Sequence, residues 1–228
     1  VKPIAVFYHT LFFKGAPDHP CLHGFNICKE QMAILKASGL EDAASEIRVG
    51  VNGGEESVVY ARLSLPEKAT VYYQGVNEGS ETPTMVRMWD WSKEHPGWNV
   101  LYFHCKGATQ TDTEYLKFVT RWRNCMMNAC VVNWQRCIAD LDSGFESVGC
   151  HWMMNVGVPP IDNIWGGNFW WATSDFISTL PSILDRELIK THGVAAPIAR
   201  YEGERWIGAG ARLPKIKDYH VNGIGSCP

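Results

Sequence analysis

The run Val100-Leu101-Tyr102-Phe103 stops abruptly at His104-Cys105-Lys106-Gly107 and gives way to a polar loop over 108–112. Such a run reads as a buried strand, and ligands in an open α/β sheet sit just beyond the carboxyl ends of strands. His104 and Lys106 therefore stand at the ligand edge, and Gly107 allows a tight turn there. Lysine is a compact point charge suited to phosphate, and imidazole suits borderline metals. Further along, Glu202 and Glu204 are spaced by two, so they share a face if extended and diverge if helical. Either could serve as a base if it came within hydrogen-bond reach of a reacting hydroxyl. Asp175 is the competing carboxylate, though it also suits a helix N-terminus.

Several chemistries lack their signatures. No G-x-G-x-x-G follows the first strand, and there is no P-loop, H-E-x-x-H or G-x-S-x-G. The one Asp-x-Asp, Asp140-Leu141-Asp142, comes at a helix end and before a strand, on the wrong side of a sheet for a ligand. A net charge of −3 with scattered Lys and Arg provides no footprint for nucleic acid. No apolar stretch reaches the roughly 18 residues of a membrane span. None of the eight cysteines forms C-x-x-C, and several sit in apolar surroundings, so reduced thiols and a cytoplasmic setting are expected. Several of the ten tryptophans fall in Gly-rich loops, as they would if their rings stacked on sugars or simply packed.

The elements that must position these residues are set by periodicity. Strands are expected at 4–8, 46–51, 69–73, 100–103 and 145–150, with an edge strand at 215–221. Helices are expected at 26–38, from Thr82 as N-cap with Pro83 first in the helix through Trp91, at 113–141, near 175–180 with Thr173 or Ser174 as cap, and at 182–191. Strands alternate with helices over the first two thirds, which predicts one α/β domain with a mostly parallel sheet covered on both faces.

The segments YFHCKG (102–107), WRNCMM (122–127), VGCHW (148–152), GGNFWWA (166–172) and RYEGERWIG (200–208) resemble a group of small glycosyltransferase-like proteins with the GT-A type nucleotide-diphospho-sugar fold. The resemblance spans about 99–208. It implies a nucleotide-diphosphate-sugar donor, a glycan or other hydroxyl acceptor, and a cleft across the carboxyl edge of the sheet. Residues up to about 110 would form the nucleotide-binding half, and the rest would supply acceptor and active-site loops. It implies a nucleoside and diphosphate site at His9, Thr10, His104, Lys106, Gly107 and Arg123, and a sugar site at Trp165, Gly166, Gly167, Asn168 and Trp170. Glu204, Glu202 or Asp175 would be the base of an inverting transfer. GT-A enzymes usually hold manganese or magnesium through Asp-x-Asp after the strand. His104-Cys105-Lys106 stands there instead, so either His104 and His220 hold the metal or Lys106 neutralises the diphosphate. The alternative is a glycan-binding module without catalysis that uses the same tryptophans.

Overall fold

The computed structural model describes residues 2–12, 22–53, 55–73, 81–110, 112–156, 162–184 and 202–220. Every residue of β1 (Ile4–Leu11) and of β4 (Asn99–His104) is buried. Strands covered on both faces read as unbroken apolar runs, which is why these two stand out in the sequence. β1 pairs in parallel with β2 (Glu46–Asn52) on one side and with β4 on the other, and β2 carries β3 (Thr70–Tyr73), also parallel. Beyond β4 lies the antiparallel β8 (Trp170–Thr173), then β5 (Ser147–Gly149) and the edge strand β9 (Ile216–Asp218). The order is β3-β2-β1-β4-β8-β5-β9, with only β8 reversed. The chain is thus an α/β fold around a mostly parallel sheet, as expected. β6 (Trp152–Val156) and β7 (Asp162–Trp165) form a separate antiparallel ribbon.

Alternate residues of the central strands feed two cores. Val6, Tyr8, Leu101 and Phe103 face a cluster with Ile27, Met32 and Leu35 of α1 (Leu22–Ala37). That cluster also takes Met126 of α5 (Thr113–Met127) and Ile138 of α6 (Trp134–Asp142). Ala5, Phe7, Val100 and Tyr102 face Met85, Met88 and Trp91 of α4 (Thr82–Glu94) and Phe176 of α7 (Ser174–Thr179). The path from β1 leaves along one face through α1 and returns to β4 along the other through α4. The carboxyl ends of β1 and β4 therefore flank the crevice where strand order reverses, the usual ligand position in such sheets.

The expected long helix over 113–141 is two helices joined by a π turn at Asn128–Val132. The Asn133 N–H reaches back to the Asn128 carbonyl at 3.1 Å, and its side-chain amide donates to the same oxygen at 2.8 Å. One extra residue rotates α6 by about 100° relative to α5, and Cys137, Ile138 and Leu141 still face the sheet.

The start of α4 differs from expectation: Glu81 occupies the cap position, Thr82 is first in the helix, and the Glu81 side chain makes no cap bond. Two short helices, α2 (Leu40–Ala43) and α3 (Glu55–Arg62), were not expected. The helix expected at 182–191 falls largely outside the described residues. The Asp-x-Asp is structural: Asp140 accepts from the Tyr219 hydroxyl at 2.5 Å, and Asp142 pairs with Lys2 at 3.5 Å. Cys125 is disulfide-bonded, which corrects the expectation of thiols reduced throughout. Cys28, Cys105, Cys130, Cys137 and Cys150 are buried thiols. No helix among the described residues is long and apolar enough to cross a membrane.

Candidate active site

His9 of β1 and His104 of β4 are register partners at the carboxyl edge. Beyond them the chain turns through residues 106–109. Gly107 lies at φ +93°, and a Cβ there would stand 2.9 Å from Cγ1 of buried Val119, so the turn requires glycine. Arg123 is 2% exposed and donates to the Lys106 carbonyl at 3.0 Å and to Glu30 at 3.4 Å. It anchors the turn from behind instead of facing a ligand. Gln31 of α1 donates to the His104 carbonyl at 3.0 Å and accepts from Tyr8 at 2.8 Å, fixing the strand end from the other face.

The cleft over this edge measures about 230 Å³ and is lined by His9, His104, Lys106, Gln110, Trp122, Glu81 and Glu204, among others. It has room for several waters or a phosphate group. Lys106 Nζ lies 3.5 Å from Glu204 Oε1 and 4.2 Å from the centre of the Trp122 ring. Glu204 sits on α8 (Glu202–Trp206), a single helical turn, and is the carboxylate brought to Lys106. The side chain of Glu202 lies outside the described residues.

Glu81 is the site residue that sequence reasoning missed. Its Oε2 accepts from Tyr102 Oη at 2.8 Å and from Asn168 Nδ2 at 2.7 Å. Its Oε1 lies 3.1 Å from His104 Nδ1. His104 Nε2 is 3.0 Å from the Gly167 carbonyl, which only accepts, so Nε2 carries a hydrogen. The contact ties Glu81 to the His104 ring on the wall of the cleft. Burial, with Lys106 second, pushes His104 down to about 3. Burial pushes His9 down to about 4 against the pull of Glu81, and its Nδ1 bonds Thr84 at 2.8 Å.

These contacts also decide the metal question for the cleft. Both nitrogens of His104 are engaged, Glu81 is committed on both oxygens, and no Asp-x-Asp lies nearby. The donor set does not fit a diphosphate-bridging manganese or magnesium ion, which prefers oxygen ligands. His220 lies past the end of β9, with its ring 4.2 Å from that of His151, so it does not join His104.

The remaining expected positions lie apart from the cleft lining. Trp165, Trp170 and Trp171 are fully buried. Their indole N–H groups bond Ser147, Asn168 and the Cys130 carbonyl, so they pack the cores and present no face to a sugar. Asn168, at φ +59° and fully buried, holds Glu81 in place. A Cβ at Gly166 would meet Met153 at 2.6 Å, and one at Gly167 would meet Met126 at 2.6 Å, so these glycines admit protein and not ligand. Thr10 is fully buried below the edge. Asp175 stands at the opposite edge because β8 runs antiparallel: Thr173 pairs with Asn99, and Asp175 accepts from Gly97 N at 3.1 Å. Trp122 of α5 lines the cleft.

Residues 7–209 match the family described as Domain of unknown function (DUF8361). No curated protein matches the chain. Among solved structures it is similar to a cytidylyltransferase from Leptospira borgpetersenii, with 11% identity, 99% of this chain and 79% of that chain covered, and a TM-score of 0.46. It is also similar to a candidate nucleotide-diphospho-sugar transferase from Desulfovibrio desulfuricans, with 8% identity, 96% and 80% covered, and a TM-score of 0.43. A third is Rv0371c of Mycobacterium tuberculosis in complex with manganese, with 10% identity, 97% and 89% covered, and a TM-score of 0.42.

Proposed function

The chain belongs to the DUF8361 family, and we propose that it transfers a sugar from a nucleotide-diphosphate-sugar donor to a hydroxyl of a glycan or other acceptor, with inversion. The observation that carries this reading is the Lys106–Glu204 pair, a cation and a carboxylate 3.5 Å apart in the cleft where strand order reverses. A diphosphate entering the cleft competes with Glu204 for the Lys106 ammonium. As Lys106 turns to the phosphate, Glu204 loses its partner beside the reacting carbon and takes the acceptor proton. The acceptor oxygen then bonds the anomeric carbon as the bond to the leaving nucleoside diphosphate breaks. Donor binding and base release are thus one event, which delays activation of an acceptor until a donor is present.

The magnitudes are adequate. A preorganised group aimed at developing charge contributes about 10²–10³ in turnover, or roughly 2.7–4 kcal/mol. A positioned base adds about 10²–10⁴. Glu81 is committed to Tyr102, Asn168 and His104, so it positions the wall and is not poised as a nucleophile for a retaining route. The nucleoside is assigned to the half up to about residue 110, next to His9. The glycan-binding alternative has no exposed face on Trp165, Trp170 or Trp171 to rest on.

The test is a screen of UDP-, GDP-, CMP- and dTDP-sugars for nucleotide release with pooled acceptors. The expected result is turnover with one donor class, reduced about 10²-fold or more in Glu204→Gln and about 10²–10³-fold in Lys106→Ala. If no donor is consumed while free glycans bind, the transferase reading fails.

A further inference from the structure

Behind Trp122, away from the cleft, the ends of β5 and β9 bring together Cys150, His151 and His220. One ligand atom from each lies within 4.8 Å of the other two, a grouping made among the described residues. We propose that these three residues bind a divalent ion of the zinc class, in a site separate from the sugar-transfer chemistry.

Two independent observations point to a ligand there. His151 is 2% exposed, yet neither ring nitrogen has a hydrogen-bond partner, and Nδ1 of His220 has none either. Buried polar atoms are nearly always satisfied, and orphans mark an ion site or another functional site. In addition, His151 adopts φ +72°, a left-handed conformation uncommon outside glycine. Such strain persists only where surrounding contacts impose it. Here Asp218 imposes it: its two carboxylate oxygens accept from the backbone N–H groups of His151 and Trp152, each at 3.0 Å, and Oδ1 also accepts from His220 N at 2.9 Å. One carboxylate thereby ties both histidine-bearing segments together and aims their rings at the same spot as the Cys150 sulfur. The rings stand 4.2 Å apart, tilted by 49°.

Zinc binds thiolate sulfur at about 2.3 Å and imidazole nitrogen at about 2.0–2.1 Å in a tetrahedron, which sets these ligand atoms roughly 3.3–3.6 Å apart. Small side-chain rotations bring this trio to that spacing. Two nitrogens and a sulfur select a borderline ion over magnesium, calcium or manganese. The fourth place is left for water. On binding, the Cys150 S–H bond breaks, the proton goes to solvent, and the sulfur–metal bond forms without oxidation or reduction. The loaded site would brace His151 against Trp122, whose ring centroid lies 6.2 Å away and whose other surface forms part of the cleft.

The test uses the full chain, stripped with chelator and titrated with zinc and with cobalt. The expected result is one equivalent bound and a tetrahedral cobalt spectrum with a thiolate-to-metal charge-transfer band. Cys150→Ser should abolish that band. His220→Ala should weaken zinc at least tenfold, since even outer partners of metal ligands change affinity about 10–100-fold. His151→Asn, which tolerates the left-handed backbone, should do the same while circular dichroism stays native. Failure to bind an equivalent, a cobalt spectrum without the sulfur band, or unchanged affinity in all three variants would overturn the proposal. Sugar transfer is not the readout, so the two readings fail separately.

Discussion

Replacing Glu81 by glutamine and by alanine should give sharply different outcomes. In Glu81→Gln the amide oxygen can occupy the Oε2 position and accept from Tyr102 and Asn168. Its NH₂ then donates to the His104 Nδ1 lone pair. Every hydrogen bond survives, and the amide supplies the hydrogen on the His104 contact. Stability should stay within about 1 kcal/mol of the parent, as expected when buried partners remain paired. Alanine instead strands the Tyr102 hydroxyl and the Asn168 amide, both on fully buried residues. Each lost partner costs about 1–3 kcal/mol, and water entering from the cleft recovers part, so a net loss of about 2–5 kcal/mol is expected. At roughly 2–4 °C per kcal/mol for a chain of this size, Tm should fall by about 5–15 °C. Urea denaturation of the two variants beside the parent measures this directly. Equal destabilisation by glutamine and alanine would refute this hydrogen-bonded arrangement. It would mean the wall needs the charge of Glu81 and not its hydrogen-bonding shape.

His9 and His104 are held neutral by burial, at about 4 and about 3, and return to about 6.5 on unfolding. Unfolding therefore takes up protons, so the stability they contribute is whole above pH 6.5 and drains away as pH falls toward 4, at up to about 1.4 kcal/mol per pH unit for each histidine. Urea midpoints at pH 7.5 and pH 5 should show the drop, and a flat profile would contradict the neutral assignment. Gly107→Ala forces a Cβ to 2.9 Å from Val119 at φ +93° and should cost about 1–3 kcal/mol, besides displacing Lys106 and weakening nucleotide binding. Asp175→Asn should leave transfer within about twofold, because the residue lies at the far edge and surface changes away from such features are small. A large loss would move the active site to that edge.

The crevice was legible because β1 and β4 are buried on both faces, and an apolar run that halts at His-Cys-Lys-Gly announces its own carboxyl end. Glu204 was legible only as one of a pair, since spacing alone does not separate helix from strand at Glu202–Trp206. Glu81 was not legible. A carboxylate before Thr82-Pro83 reads as a helix start, and its partners Tyr102, His104 and Asn168 come from two distant segments that only the sheet brings together. The tryptophans misled for the converse reason. Beside Gly166-Gly167 they read as loop residues, but Trp170 and Trp171 belong to a short reversed strand between β4 and β5, covered on both faces. The orphan rings of His151 and His220 depend on a strand pairing, β5 with β9, that joins residues about 70 apart in the chain.

The central claim is that Lys106 exchanges Glu204 for a donor diphosphate. Calorimetric titration of UDP, GDP, CDP and dTDP into the parent and Lys106→Met, all in EDTA, tests it most directly. The account predicts that one nucleoside diphosphate binds without divalent metal, that its affinity falls at least about tenfold in the variant, and that Glu204→Gln binds it as well as the parent or better, since the competitor for Lys106 has lost its charge. Binding that needs manganese or magnesium, or that is indifferent to Lys106, would contradict it.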